Sequence, residues 1–196
     1  MFDEITFVGE FFEGLTAVDE AILARARLEK CRLCGGPLHR GDFGRKPRGG
    51  IFAGAAEALT RRFSLCCGRE GCRQRATPPS VRFLGRRVYV GAAVIVASVV
   101  ALLHATASAV RRATGIPART TRRWLQWWRG PFVATPVFVE ICACLAAAID
   151  RRLLPTCILE KIPGTPMTRV RRLLAWLAPI TTTTTVDGSR FVRGLV

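Results

Sequence analysis

Histidine is scarce in this chain. His39 and His104 are the only two in 196 residues, and neither stands at a spacing that brings a serine, aspartate or cysteine partner to it. That removes the usual general base of hydrolytic catalysis. No Gly-x-x-x-x-Gly-Lys loop is present to cradle a nucleotide phosphate. Carboxylates are sparse as well: beyond Gly130 only Glu140, Asp150, Glu160 and Asp187 remain, without strands to converge them on two magnesium ions. Cys31-x-x-Cys34 lacks the βαβ surroundings of a thioredoxin-like redox pair. The N-terminus, with Asp3 and Glu4 and no basic stretch before an apolar one, does not read as a secretory signal, and the expected compartment is the cytoplasm. No internal repeat is found.

What the sequence holds is arginine, apolar residues and cysteine. The 21.5 kDa chain is 49% apolar, enough for a buried core, and carries a net charge of +16 with a pI near 11.1. The charge is segregated. Residues 1–20 contain six acids and no base, which leaves 30 bases against eight acids on residues 21–196. Of the 30 bases, 27 are arginine and only Lys30, Lys46 and Lys161 are lysine. Such an excess points to a polyanionic partner, and guanidinium is the better reader of phosphate and guanine.

Eight cysteines are present, and five of them (Cys31, Cys34, Cys66, Cys67, Cys72) crowd into 42 residues as a pair and a triplet. An odd local count argues against simple disulfide pairing and for metal ligation. The two-residue spacing of Cys31 and Cys34 lets both thiolates reach one ion, and Gly35 and Gly36 permit the turn that aims backbone amides at the sulfurs. Four thiolates around zinc leave no open position, so the site is read as structural. Cys72 supplies the fourth ligand and Cys67 or Cys66 the third. Cys67 is preferred because it shares a strand face with Phe63 and Leu65. His39 is the alternative donor. Cys142, Cys144 and Cys157 are expected to pack as small apolar groups.

Residues Val88 to Val110 run for 23 positions without a charged side chain. The strongly apolar part, Val94 to Leu103, is shorter than the roughly 20 residues of a membrane span. A buried helix is expected, with a single-span membrane protein bearing a basic cytosolic zinc module as the rival reading. A zinc-stabilised protein-interaction module using the acidic N-terminus is the third.

After this run, Ser108–Ala113 and Ala118–Trp128 read as two helices separated by Gly115, Ile116 and Pro117, the layout of a helix-turn-helix. At 100° per residue, Thr121, Trp124, Leu125 and Trp128 fall on one arc and Arg119, Arg122, Arg123 and Gln126 on the other. The second set carries the groups that bond base edges and phosphates in the major groove, and Thr120 beside it joins the candidate contacts. Gly44-Arg-Lys-Pro-Arg-Gly49 has the make-up of a minor-groove arm or a solvated loop. Arg61, Arg62, Arg69, Arg73, Arg75, Arg82, Arg86 and Arg87 surround the cysteines and are expected to grip phosphates.

The remaining chain reads as a helix over Thr16–Glu29 capped by Thr16 or Asp19, a glycine-rich loop over 35–60, short strands around Phe63, Leu65, Val81 and Phe83, and helices over Val137–Ile149 and Met167–Leu177. The expected class is α+β and mostly α. It comprises an acidic N-terminal helix or tail (1–27), a zinc ribbon (28–87), a helix-turn-helix bundle (88–130), C-terminal helices (131–180) and a flexible tail (181–196).

Taken together, Cys31 to Arg40, Arg62 to Cys67, Thr77 to Tyr89 and the Arg-Thr-Thr-Arg-Arg-Trp-Leu-Gln-Trp-Trp helix resemble the zinc-ribbon-plus-helix-turn-helix proteins of bacterial insertion sequences, many of them transposase-like. The resemblance covers about residues 28–130. It implies zinc on Cys31, Cys34, Cys67 and Cys72 and a reading helix at Arg119–Gln126. It further implies double-stranded DNA as partner, with a separate transposase subunit supplying any chemistry, since the chain has no room for a ribonuclease-like catalytic domain.

Overall fold

The computed structural model describes residues 9–46, 56–84, 89–103 and 106–181. His104, Arg86, Arg87, Pro47 to Gly49 of the basic loop, residues 1–8 and residues 182–196 lie outside the described residues. The fold is α+β and mostly helical, with three small antiparallel sheets among the described residues.

The chain builds two cores, and the first helix serves both. Helix α1 (Gly9–Leu28) starts earlier than its cap signals predict, because Phe11, Phe12, Leu15 and Ile22 already recur at helical spacing and are buried in the larger core. Leu23 and Ala26, near its end, enter the smaller one. Residues 9–28 are thus a packed element and not a detached tail. Neither expected cap acts as one: Thr16 Oγ1 donates to Phe12 O within the helix (2.7 Å), and Asp19 is buried.

The smaller core gathers the cysteine-bearing segments. Strands β1 (Leu38–Arg40), β4 (Leu65–Cys67) and β5 (Arg75–Ala76) form an antiparallel sheet in the order β1-β4-β5, with Leu38 opposite Cys67 and Leu65 opposite Ala76. Between them lie β2 (Phe43–Gly44), paired with β3 (Arg61–Arg62), and the short helix α2 (Ala56–Thr60). Leu38, Phe63, Leu65 and Cys67 fill the interior with Leu23 and Ala26.

The larger core belongs to the C-terminal two-thirds. A two-stranded ribbon of β6 (Phe83–Leu84) and β7 (Tyr89–Val90) leads into α3 (Gly91–Leu103). Val81 and Phe83 pack here, away from the cysteines beside which the sequence places them. Helix α3 has alanine and valine on most sides, and nine of its 13 residues are buried. Around it stand α4 (Ala107–Thr114), α5 (Ala118–Arg129), α6 (Pro136–Leu145), α7 (Thr156–Lys161) and α8 (Pro166–Leu177). Gly91 is required where α3 meets α8, since a Cβ there would stand 2.6 Å from Leu174 Cδ2. Helix α6 ends at Leu145, short of the expected Ile149, because Ala146 turns left-handed (φ 46°). Thr181, counted with the tail by sequence, is buried and accepts a hydrogen bond from Ser80 N at 2.9 Å.

A 13-residue helix such as α3 is about 20 Å long, against a hydrocarbon layer of about 30 Å. Among the described residues no single helix is long and apolar enough to cross a membrane. Ala118–Ala134 and Pro136–Leu145 reach that length and composition only together, across an 86° bend. The expectation for the last three cysteines needs correction. Cys157 is buried with Sγ donating to Asp150 O (3.1 Å) and Cys142 is half-buried, but Cys144 is exposed because the face of α6 that carries it is turned away from the core.

Candidate metal centre and basic helix face

The segment after α1 turns tightly enough to bring two thiols to one point. Gly35 N donates to Cys31 O (2.7 Å) and Cys31 N to Gly36 O (2.9 Å), with Gly35 in the left-handed region at φ 68°. Gly36 is held to a hydrogen at its α-carbon by the cluster itself: an added Cβ would lie 3.0 Å from Cys67 Sγ and 3.2 Å from Cys34 Sγ. The opposing half comes from β4 and the turn after it, where Cys72 N donates to Arg69 O (3.2 Å).

Together these turns place Cys31, Cys34, Cys67 and Cys72 with all four Sγ atoms within 4.8 Å of one another. Cys34 and Cys67 are 3.4 Å apart and Cys31 and Cys72 3.8 Å. Disulfide sulfurs sit at about 2.0 Å, so no pair is bonded. For metal–sulfur bonds of about 2.3 Å, tetrahedral ligands stand about 3.8 Å apart, and the cluster is therefore sized to hold a metal ion. The strand alternation settles the vicinal pair: Cys67 faces inward, while Cys66 Sγ turns toward Arg73 O at 3.5 Å. His39, opposite Cys66, is exposed, and its ring covers Gly68 instead of joining the thiols. Cys67→Ser is expected to abolish metal retention and Cys66→Ser to leave one ion per chain, as measured by metal analysis of the purified proteins.

The electrostatics of the cluster favour a cation. The Gly36 N–H brings the Cys34 thiol down to about 6, outweighing burial, with hydrogen bonds from the other three thiols assisting. The Arg69 N–H, 3.4 Å from Cys67 Sγ, lowers Cys67, but burial and its bonds to Cys34, Cys31 and Cys72 override this and push it up to about 12. Cys72 is lowered by the Gln74 N–H and raised further by Cys34, burial and Cys31, for a net rise. At neutral pH Cys34 is a thiolate while Cys67 and Cys72 keep protons that an arriving ion must expel. At least two protons therefore leave on binding, and affinity rises with pH by about 100-fold between pH 7 and 8. Titration calorimetry in buffers of different ionisation enthalpy counts those protons. A pH-independent affinity would overturn this assignment.

The arginines around the cluster divide into two groups. Arg62 and Arg82 are buried, which corrects their assignment to phosphate contact: Arg62 Nη2 donates to Pro78 O (2.5 Å), and desolvation lowers its pKa to about 10 despite the carboxylate of Asp19. Arg82 pairs with Asp19 at 2.7 Å, both side chains 1% exposed. Arg69 is tied to Cys34 O (2.8 Å) and Arg75 to Gly41 O (2.8 Å), whereas Arg61 and Arg73 are exposed. The Asp19–Arg82 pair escaped the sequence reading. Its one signal is an aspartate set in the stripe Phe12, Leu15, Ile22, Leu23 and Ala26, a polar residue at a core position that requires a buried partner.

The helix pair at the other end of the chain forms where the sequence places it. Thr106 caps α4 by accepting from Ala109 N (3.3 Å), Gly115 ends it at φ 68°, and the turn residue Ile116 is buried. Pro117 stands just ahead of α5 as its N-cap. Thr121, Trp124 and Trp128 are buried, with Trp128 Nε1 donating to Ser98 Oγ of α3 (3.1 Å) and Trp127 packed on Phe132 (5.3 Å). Leu125 is half-buried. The opposite face exposes Arg119, Arg122, Arg123 and Gln126, with Thr120 half-buried at its margin. Arg111 and Arg112 of α4 are exposed as well. No Asp or Glu occurs between Glu70 and Glu140, a stretch holding eleven arginines, so nothing nearby in sequence offsets this charge. Comparison with protein-family models, with curated proteins and with solved structures finds no match for the chain.

Proposed function

We propose that the chain is a sequence-reading DNA-binding protein of the transposase-like, mobile-element kind, built on a structural zinc and without a catalytic domain. The observation that carries this reading is the exposed face of α5. Three guanidiniums and an amide project from one side of a helix whose other side is anchored by two buried tryptophans. A recognition helix needs this division: the buried side fixes its angle, and the free side offers bidentate donors to guanine and adenine edges. Helix α3 and helix α4 brace α5 as the supporting helices of a helix-turn-helix do. Arg111, Arg112, Arg61 and Arg73 supply sequence-independent phosphate contacts.

Zinc is the proposed ion because four thiolates in a closed tetrahedral set suit it and leave no position for water. Its role is then to hold residues 31–34 against residues 67–72, with no part in chemistry. Any strand transfer falls to a separate transposase subunit. Fluorescence anisotropy with a labelled DNA duplex tests the reading: binding should weaken steeply as salt rises, and Arg123→Ala should reduce preference for a selected sequence over random DNA. A flat salt response would contradict it.

A further inference from the structure

The thiol cluster and the arginine face sit on different cores, yet one continuous set of contacts joins them. Cys31 lies three residues beyond the end of α1, so an ion bridging residues 31–34 to residues 67–72 fixes that end of the helix against β4. Midway along α1, Asp19 reaches into the interior. Its Oδ1 accepts from Val81 N (2.7 Å), and its Oδ2 accepts from Ser80 Oγ (2.6 Å) and Arg82 Nε (2.7 Å). The Arg82 guanidinium lies 4.1 Å over the Phe63 ring of the smaller core and 5.2 Å from the Phe83 ring of the larger, and donates to Ala58 O. Arg82 O accepts from Gly91 N, the first residue of α3, at 2.8 Å. Helix α3 in turn holds α5 through the Ser98–Trp128 bond.

A buried ion pair with this many partners does not open piecemeal, because each partial opening strands a charge in apolar surroundings. We infer that the Asp19–Arg82 pair is a strut that couples the two cores, so that metal loading of the thiol cluster governs the stability of the α3–α4–α5 unit and with it the affinity of the α5 face. The affinity arm rests on the function proposed above; the stability arm stands without it.

The four tryptophans (Trp124, Trp127, Trp128 and Trp176) all lie in the helical unit and none in the cysteine-bearing part, so their fluorescence reports the helical unit alone. Thermal unfolding of the full reduced chain is followed by tryptophan emission with excess zinc and after chelation with EDTA. Zinc removal should lower the wild-type midpoint by about 10 °C or more. In Asp19→Leu/Arg82→Met, which removes both charges and strands neither, zinc content should stay at one per chain while the shift falls below roughly 2 °C. Arg82→Lys, which keeps the charge but loses the flat guanidinium between the rings, serves if the double variant does not fold, and should show less than half the wild-type shift. A wild-type midpoint indifferent to zinc, or variants that respond as strongly as wild type, would overturn the strut. At constant salt, EDTA should also weaken duplex binding of the wild type at least tenfold, and equal affinity with and without zinc would overturn the affinity arm. If the zinc-loaded protein binds no duplex at all, the proposed function fails while the tryptophan midpoints still judge the strut.

Discussion

Asp19→Ala is expected to destabilise the protein by about 3–5 kcal/mol, the largest effect of any single exposed-or-buried charge removal in this fold. The substitution takes the acceptor from three donors at once (Ser80 Oγ, Val81 N and Arg82 Nε) and leaves a guanidinium with 1% exposure uncompensated between two phenylalanine rings. Arg82 Nη2 already lacks a hydrogen-bond partner in the interior, so the side chain has no second anion to turn to among the described residues. For a chain of this size the midpoint of thermal unfolding should fall by roughly 10 to 15 °C, measured by circular dichroism. Asp150→Ala makes the control: its pair with Arg152 is exposed, and the midpoint should match wild type within error. An Asp19→Ala protein as stable as wild type would show that the buried pair does not hold the two cores together.

The second large effect concerns binding. Reversing Arg122 and Arg123 together to glutamate should weaken duplex affinity by about 100-fold or more at moderate salt, because two attractive contacts become two repulsive ones against a dense line of phosphates. Both side chains are exposed, and the buried arc of Thr121, Trp124 and Trp128 is untouched, so the circular dichroism spectrum and melting midpoint should not move. A folded double variant that binds duplex within threefold of wild type would remove α5 from the interface.

Much of this arrangement is legible in the residues. Local spacing carries the thiol cluster: a Cys-x-x-Cys-Gly-Gly turn and the inward phase of Phe63, Leu65 and Cys67 suffice to name the four sulfurs that the structure brings together. The boundaries of α4 and α5 follow from Gly115, Pro117 and the tryptophan arc, all within-helix signals. What escapes is everything set by contacts distant in sequence. The early start of α1 depends on Phe11 and Phe12 finding the larger core. Val81 and Phe83 join that core because β6 pairs with β7 at the entry to α3, and no local pattern states which of two cores a short apolar strand enters. Arg62 and Arg82 look like surface charges by composition and become interior ones only because Asp19, about 60 residues earlier, supplies the carboxylate.

The dependence of duplex affinity on salt tests the account most directly. For the zinc-loaded wild type, the logarithm of the association constant should fall linearly with the logarithm of sodium chloride concentration. In Arg119→Ala/Arg122→Ala/Arg123→Ala the magnitude of that slope should drop by about 2 to 3, one unit for each cation lost from the groove. Equal slopes for the two proteins would place the DNA elsewhere on the molecule, and a wild-type affinity indifferent to salt would contradict a nucleic-acid partner altogether.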